Sequence, residues 1–145
     1  ARIQRLVESL PHETVRFSQA SDQNLAEARV LVIDNIGILS HLYQYADVAN
    51  IGGGFGVGIH NILEAATFEL PVLFGPNYHK FREAVELIAQ GGAFSFGNEQ
   101  EFLAAALPLL TDGSRRKAAA QIARQYVESR QGATRLTLGR LRVGK

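Results

Sequence analysis

The sequence predicts an α/β domain built on a parallel sheet, and three observations predict it. Five short segments rich in β-branched and aromatic residues are bounded by turn residues, as strands are. Between them run stretches whose apolar residues recur at helical spacing. The two kinds alternate, which implies parallel strands joined by helical crossovers, with helices on both faces of the sheet. A chain of 145 residues with 46% hydrophobic and 20% charged residues can bury one core, so residues 1–145 are expected to form one domain.

Taken in order, "ARIQRLVESL" places Ile3, Leu6, Val7 and Leu10 at i, i+3, i+4, i+7, a helix with one buried stripe. Ala1 has no N-cap before it, and a doubly wound nucleotide domain normally opens on a strand. The expectation is therefore a piece of a larger protein whose sheet lacks its first strands. The unpaired edge groups of such a sheet would favour pairing with a second copy. "TVRF" (14–17), "RVLVID" (29–34), "ADVANIG" (46–52), "PVLFG" (71–75) and "AFSF" (93–96) read as strands. "ILSHLYQY", "IHNILEAATFE", "KFREAVELIAQ", "QEFLAAALPLL" and "SRRKAAAQIARQYVES" read as helices. Gly91-Gly92 and Asp112-Gly113 fall where helices should end.

The absence of cysteine rules out disulfides and thiolate metal ligands. No apolar run approaches the roughly 20 residues of a membrane-spanning helix. The net charge of +1 hides an asymmetry, because residues 114–145 hold nine Lys/Arg against the single Glu128. This basic block reads either as a solvated helix face or as a surface for an anionic partner or membrane. Nucleic acid is disfavoured as that partner, since aromatic residues are not interleaved with the basic ones.

The stretch "NIGGGFGVGIHNILEAA" (50–66) puts five glycines, Gly52, Gly53, Gly54, Gly56 and Gly58, into seven positions just before a helical pattern. In an open parallel sheet the ligand crevice lies outside the carboxyl ends of the strands, at this kind of connection. Bare backbone followed by a helix N-terminus suits a phosphate. The plain alternative is a tight turn between strand and helix. No Gly-x-Gly-x-x-Gly spacing occurs, and Gly53 to Gly58 has the Walker spacing but is followed by Ile59-His60 instead of Lys-Ser/Thr. Asn61 and Glu64, at i and i+3, share one face of the helix start. Glu64 either caps the helix or accepts hydrogen bonds from the two adjacent hydroxyls of a ribose.

Residues 46–96, with Gly-x-His-Asn-x-Leu-Glu followed by Pro-Val-Leu-Phe-Gly-Pro-Asn, resemble the C-terminal domain of the Kdo transferases of lipopolysaccharide biosynthesis. These enzymes move 3-deoxy-D-manno-octulosonic acid (Kdo) from CMP-Kdo to a lipid A precursor. Asp34, Gly37 and Leu39, with Ile38 between the last two, resemble that family's Asp-x-x-Gly-x-Leu segment, and "GATRLTL" resembles its closing helix. The resemblance implies a Rossmann-like GT-B domain that holds the donor nucleotide, while an N-terminal domain holds the acceptor and the catalytic base. It implies that Glu64 and Asn61 hold the ribose, that the backbone at Gly58, Ile59 and His60 holds the phosphate, and that Gly56 also belongs to the nucleotide site. Gly37 and Ile38 would frame the cytosine, and Asn77, Tyr78, His79 and Lys80 would border the sugar. It also implies inversion at the anomeric carbon without a metal or other cofactor, the helix N-terminus standing in for a cation. The implied location is the cytoplasmic face of the bacterial inner membrane.

His12 and His41 stand in no motif and read as surface residues, and no two histidines lie at metal-ligand spacing. His60 and His79 would meet the phosphate or the Kdo carboxylate, or make only local hydrogen bonds. Tyr78 and Phe81 suit either core or lid. Two rival readings stay open: an epimerase-like domain for a UDP-sugar, and a non-catalytic domain docked on membrane through its basic block.

Overall fold

A computed structural model of the chain describes residues 2–130; the "GATRLTL" segment lies outside them. The chain divides between Leu39 and Ser40 into two compact units.

The first unit contains helix α1 (Arg2–Ser9), strand β1 (Thr14–Arg16), helix α2 (Asp22–Glu27) and strand β2 (Val30–Val32). The two strands pair in parallel, Thr14 opposite Val30 and Arg16 opposite Val32. Helix α1 forms where its periodicity predicts, but its stripe is only partly covered: Ile3 is 38% and Leu6 50% exposed, whereas Val7 and Leu10 are half-buried. Two three-residue strands and two short helices are too little chain to surround it. Helix α2 was not among the expected elements. Its signal is a capping box, in which Ser21 Oγ accepts the Asn24 N–H at 3.4 Å and Asn24 Oδ1 accepts the Ser21 N–H at 2.8 Å.

The carboxyl ends of β1 and β2 are joined by Asp34. Its carboxylate accepts the Ser18 hydroxyl at 2.6 Å, the Ser18 N–H at 2.9 Å and Arg16 Nε at 2.9 Å. The Asp34 side chain is only 2% exposed, so these donors replace its water.

The second unit runs through helix α3 (Leu39–Leu42, beginning at the divide), strand β3 (Ala49–Asn50), helix α4 (Leu63–Thr67), strand β4 (Val72–Phe74), helix α5 (Arg82–Gln90), strand β5 (Ala93–Ser95), helix α6 (Glu99–Thr111) and helix α7 (Gly113–Arg130). All five predicted strands are present and every pairing is parallel, but they form two sheets, β1-β2 and β3-β4-β5, in place of the single sheet expected. Strand β4 is central, and Val72, Leu73 and Phe74 are buried on both faces, which explains its unbroken apolar sequence. Val72 and Phe74 pack with Ala65, Ala66, Ala84, Leu87, Ala123 and Tyr126 on one face. Leu73 packs with Ala106, Leu109 and Ala119 on the other, so both faces are covered as predicted.

The helix ends follow local chemistry. Gly91 closes α5 in the left-handed region at φ 88°. At the next boundary Asp112 does the work that was expected of the Asp112-Gly113 pair, its Oδ1 accepting the N–H groups of Ser114 at 2.9 Å and Arg115 at 3.1 Å.

The bonds from the Ser18 hydroxyl and N–H, helped by Arg16, hold the Asp34 carboxyl down at about 2, below the ordinary 3.8. A depressed carboxyl contributes stability that is complete above the unfolded value and is lost as pH falls through the folded one. The pairing of β1 with β2 is therefore expected to weaken between about pH 4 and pH 2, and Asp34→Asn to flatten that dependence. Amide hydrogen exchange at Val15 and Val30 across this range checks both.

Candidate functional site

The carboxyl ends of β3, β4 and β5 bring together the loops expected to bind a ligand. The glycine stretch after β3 does not run straight into a helix. Gly53 and Gly54 take φ 90° and 84° and turn the chain back on itself. The Gly54 N–H then donates to the Gly58 carbonyl at 2.7 Å and the His60 N–H to the Gly52 carbonyl at 3.1 Å. The result is a small closed loop. The His60 N–H is already engaged within it, whereas the Ile59 side chain belongs to the core at 7% exposed and the Ile59 N–H has no acceptor among the described residues.

Helix α4 starts only at Leu63, later than the sequence pattern suggests, and has five residues. Asn61 stands two residues before it and forms an Asx turn into its first residue: Asn61 Oδ1 accepts the Leu63 N–H at 3.0 Å. Asn61 Nδ2 donates to Glu64 Oε1 at 3.1 Å. The structure thus brings Asn61 and Glu64 together as a side-chain pair, with Glu64 exposed and Oε2 without a hydrogen bond among the described residues. Tyr43, which the sequence reading did not single out, lies beside this carboxylate. Burial raises its phenol above the ordinary value, and the charge of Glu64 raises it further.

The loop after β4 grips the glycine loop. The Asn77 N–H donates to the Gly54 carbonyl at 2.9 Å, and Asn77 Nδ2 to the Gly56 carbonyl at 2.9 Å. A Cβ on Gly54 would sit 2.6 Å from the Gly75 Cα, and one on Gly58 would sit 2.7 Å from the Phe81 ring. At these positions the tight-turn explanation of the glycines is sufficient. Gly56 is different: a Cβ there would meet nothing within 4 Å, and its φ lies outside the left-handed region.

Tyr78 and Phe81 both pack against the core, Tyr78 edge-on to Phe74 at 5.5 Å between ring centres. The exposed His79 ring lies on Tyr78 at 4.3 Å, and Lys80 is exposed beside it. Neither the His60 nor the His79 imidazole makes a hydrogen bond among the described residues, so the purely local bonds considered for them do not form. His12 and His41 are exposed. Gly37 and Ile38 belong to the first unit, on the turn after Asp34, where Gly37 takes φ 96°. Among the described residues no three His, Asp or Glu side chains gather as a metal site.

No family model matches the chain. It is 34% identical over 155 aligned residues to the 3-deoxy-D-manno-octulosonic acid transferase of Bordetella pertussis, covering 94% of this chain and 36% of that protein. The transferase of the same name from Aquifex aeolicus is 36% identical over 97 residues, covering 66% and 27%. The chain belongs to the 3-deoxy-D-manno-octulosonic acid transferase family. It spans about a third of the length of these relatives. Its fold is that of the C-terminal CMP-Kdo binding domain of WaaA from Acinetobacter baumannii, with a TM-score of 0.75, 23% identity, and coverage of 87% of this chain and 66% of that one. The glycine stretch of this chain is a folded-back loop held by the segment that follows β4.

Gly54→Ala meets both a left-handed φ and the Gly75 backbone, and should destabilise the chain by about 2–4 kcal/mol. Gly56→Ala should stay within about 0.5 kcal/mol of the parent. Urea unfolding of the two variants checks the contrast.

Proposed function

We propose that this chain is the donor-binding domain of a Kdo transferase that moves Kdo from CMP-Kdo to a lipid A precursor. The observation that carries the reading is the Asn61–Glu64 pair beside the glycine loop. Asn61 fixes one oxygen of an exposed carboxylate and leaves the other open. A ribose offers two adjacent hydroxyl donors, and a carboxylate with two acceptor oxygens matches them. Family membership and the fold shared with a CMP-Kdo binding domain favour CMP over UDP as the nucleotide, and so favour this reading over the epimerase-like one.

In the proposed reaction the acceptor hydroxyl attacks the anomeric carbon of Kdo from the side opposite CMP, and configuration inverts. The bond from that carbon to the phosphate oxygen breaks, and CMP leaves with the electron pair. The negative charge that develops on the phosphate is met by backbone N–H groups. Those of Gly58 and Ile59 have no acceptor among the described residues. Preorganised donors of this kind perform the task for which a metal would otherwise be needed. The five-residue α4 adds only a short dipole to them. His79 and Lys80 stand exposed on the next loop, where they suit the Kdo carboxylate. The general base and the acceptor surface we assign to the part of the enzyme outside this chain, and the site of action to the cytoplasmic face of the inner membrane. The basic α7 supports that location in part: Arg115 and Lys117 are exposed, whereas Arg116 pairs with Asp47 at 3.3 Å.

Glu64→Gln should weaken CMP binding by about 1.5–3 kcal/mol, the contribution of a charged hydrogen-bond partner, with the fold unchanged. Calorimetric titration of parent and variant measures it, and equal affinities would overturn the role of Glu64. The chain alone, mixed with CMP-Kdo and a lipid A precursor, is expected to form no Kdo-modified lipid by mass spectrometry, since loss of a general base alone is typically a factor of about 10²–10⁴.

A further inference from the structure

We infer that Asn77 is a positioning residue which turns the tip of the glycine loop into an anion seat, the phosphate donors there being the N–H groups of Phe55 and Val57. The inference rests on the nucleotide reading above and relocates part of its phosphate site. It also gives Asn77 a task other than bordering the sugar.

Asn77 is 21 positions from Gly56 in sequence, yet its backbone N–H and its side-chain amide are bonded to the Gly54 and Gly56 carbonyls, each at 2.9 Å. A peptide unit is planar and trans, so a carbonyl and the N–H of the following residue point in opposite directions. Drawing the carbonyls of Gly54 and Gly56 towards Asn77 therefore turns the N–H groups of Phe55 and Val57 away from it. Neither of these N–H groups has an acceptor among the described residues. Both residues are exposed. Gly56 lies between them with open space where a side chain would be, although nothing in the fold requires glycine there. Two free N–H groups turned the same way from a bare, fixed loop offer a phosphate fixed donors. The loop cannot easily relax out of this shape, because the Gly54 and Gly75 backbones are in contact and the Gly54 N–H closes the ring to Gly58 at 2.7 Å. Asn77 thus acts on the ligand through the peptide planes that it holds.

The test compares CMP with cytidine, which lacks the phosphate. In the parent chain, amide resonances of Phe55 and Val57 should shift with CMP and stay in place with cytidine. Asn77→Ala should lose about tenfold in CMP affinity with cytidine affinity unchanged, and Asn77→Gln, which keeps the donor, should recover part of the loss. Three outcomes overturn the inference and leave the nucleotide reading standing: CMP-induced shifts confined to Gly58 and Ile59, an unchanged ratio of CMP to cytidine affinity in Asn77→Ala, or equal losses for both ligands. An alanine variant that binds CMP normally but CMP-Kdo weakly would return Asn77 to the sugar. If Asn77→Ala does not fold, the parent-chain amide shifts decide. Absence of CMP binding to the parent overturns the nucleotide reading and this inference together.

Discussion

The second unit depends on the close approach of two backbones at the carboxyl ends of β3 and β4. Gly54 and Gly75 lie so near each other that a Cβ on either would enter the other's main chain, at 2.6 Å and 2.8 Å respectively. This contact lets the loop after β3 lie directly on the end of the central strand. It brings the Gly54 carbonyl within reach of the Asn77 N–H. It also places Phe55 over Gly75 and against Phe96, whose ring lies 5.6 Å away. Phe96 in turn meets Phe102 of α6 at 4.9 Å. One glycine pair thus couples the loop, the sheet and a covering helix.

A bare loop is useful for binding only if it is held, because glycine has the most conformational freedom to lose. In this chain the restraint comes from two non-local bonds from Asn77 and from two bonds within the loop, from Gly54 to Gly58 and from His60 to Gly52. Organisation before the ligand arrives lowers the ordering cost of binding. It also keeps donors fixed where negative charge grows during transfer. The Asn61–Glu64 pair follows the same logic with side chains, since one member forms the Asx turn into the helix and orients the other.

Behind the site, α7 is fastened to α5 by a polar cluster at the edge of the core. Glu86 accepts the Tyr126 hydroxyl at 2.6 Å and Arg82 Nε at 2.8 Å, and it also pairs with Arg130. The bond from Tyr126, with that from Arg82, holds the Glu86 carboxyl down at about 2. Burial, with the bond to Glu86, pushes the Tyr126 phenol up to about 12. Arg130 also lies over the Tyr126 ring at 3.7 Å. Much of the basic character of α7 is therefore internal pairing, a reason for the plain solvated-face reading of this block to hold over part of its length.

Elements whose identity is local could be read from the residues alone. All five strands were legible, β4 most clearly because burial on both faces leaves it apolar throughout. The α5 stop at Gly91 was legible because it is a single-residue conformational preference. So was the pairing of Asn61 with Glu64, since their i, i+3 spacing puts both side chains on one face. Helix α2 was equally local, and its Ser21-x-x-Asn24 box would have revealed it. Only the tertiary structure decided that α4 begins at Leu63, because the His60 N–H goes to Gly52 across the loop. It alone decided that Ile3 and Leu6 of the α1 stripe stay exposed, since burial depends on what surrounds a helix and not on its period. It alone gave Asn77 its two bonds to a loop more than twenty residues away. Hydrophobic period and turn chemistry are written residue by residue, whereas the partner of a backbone N–H is chosen by packing between segments far apart in the chain.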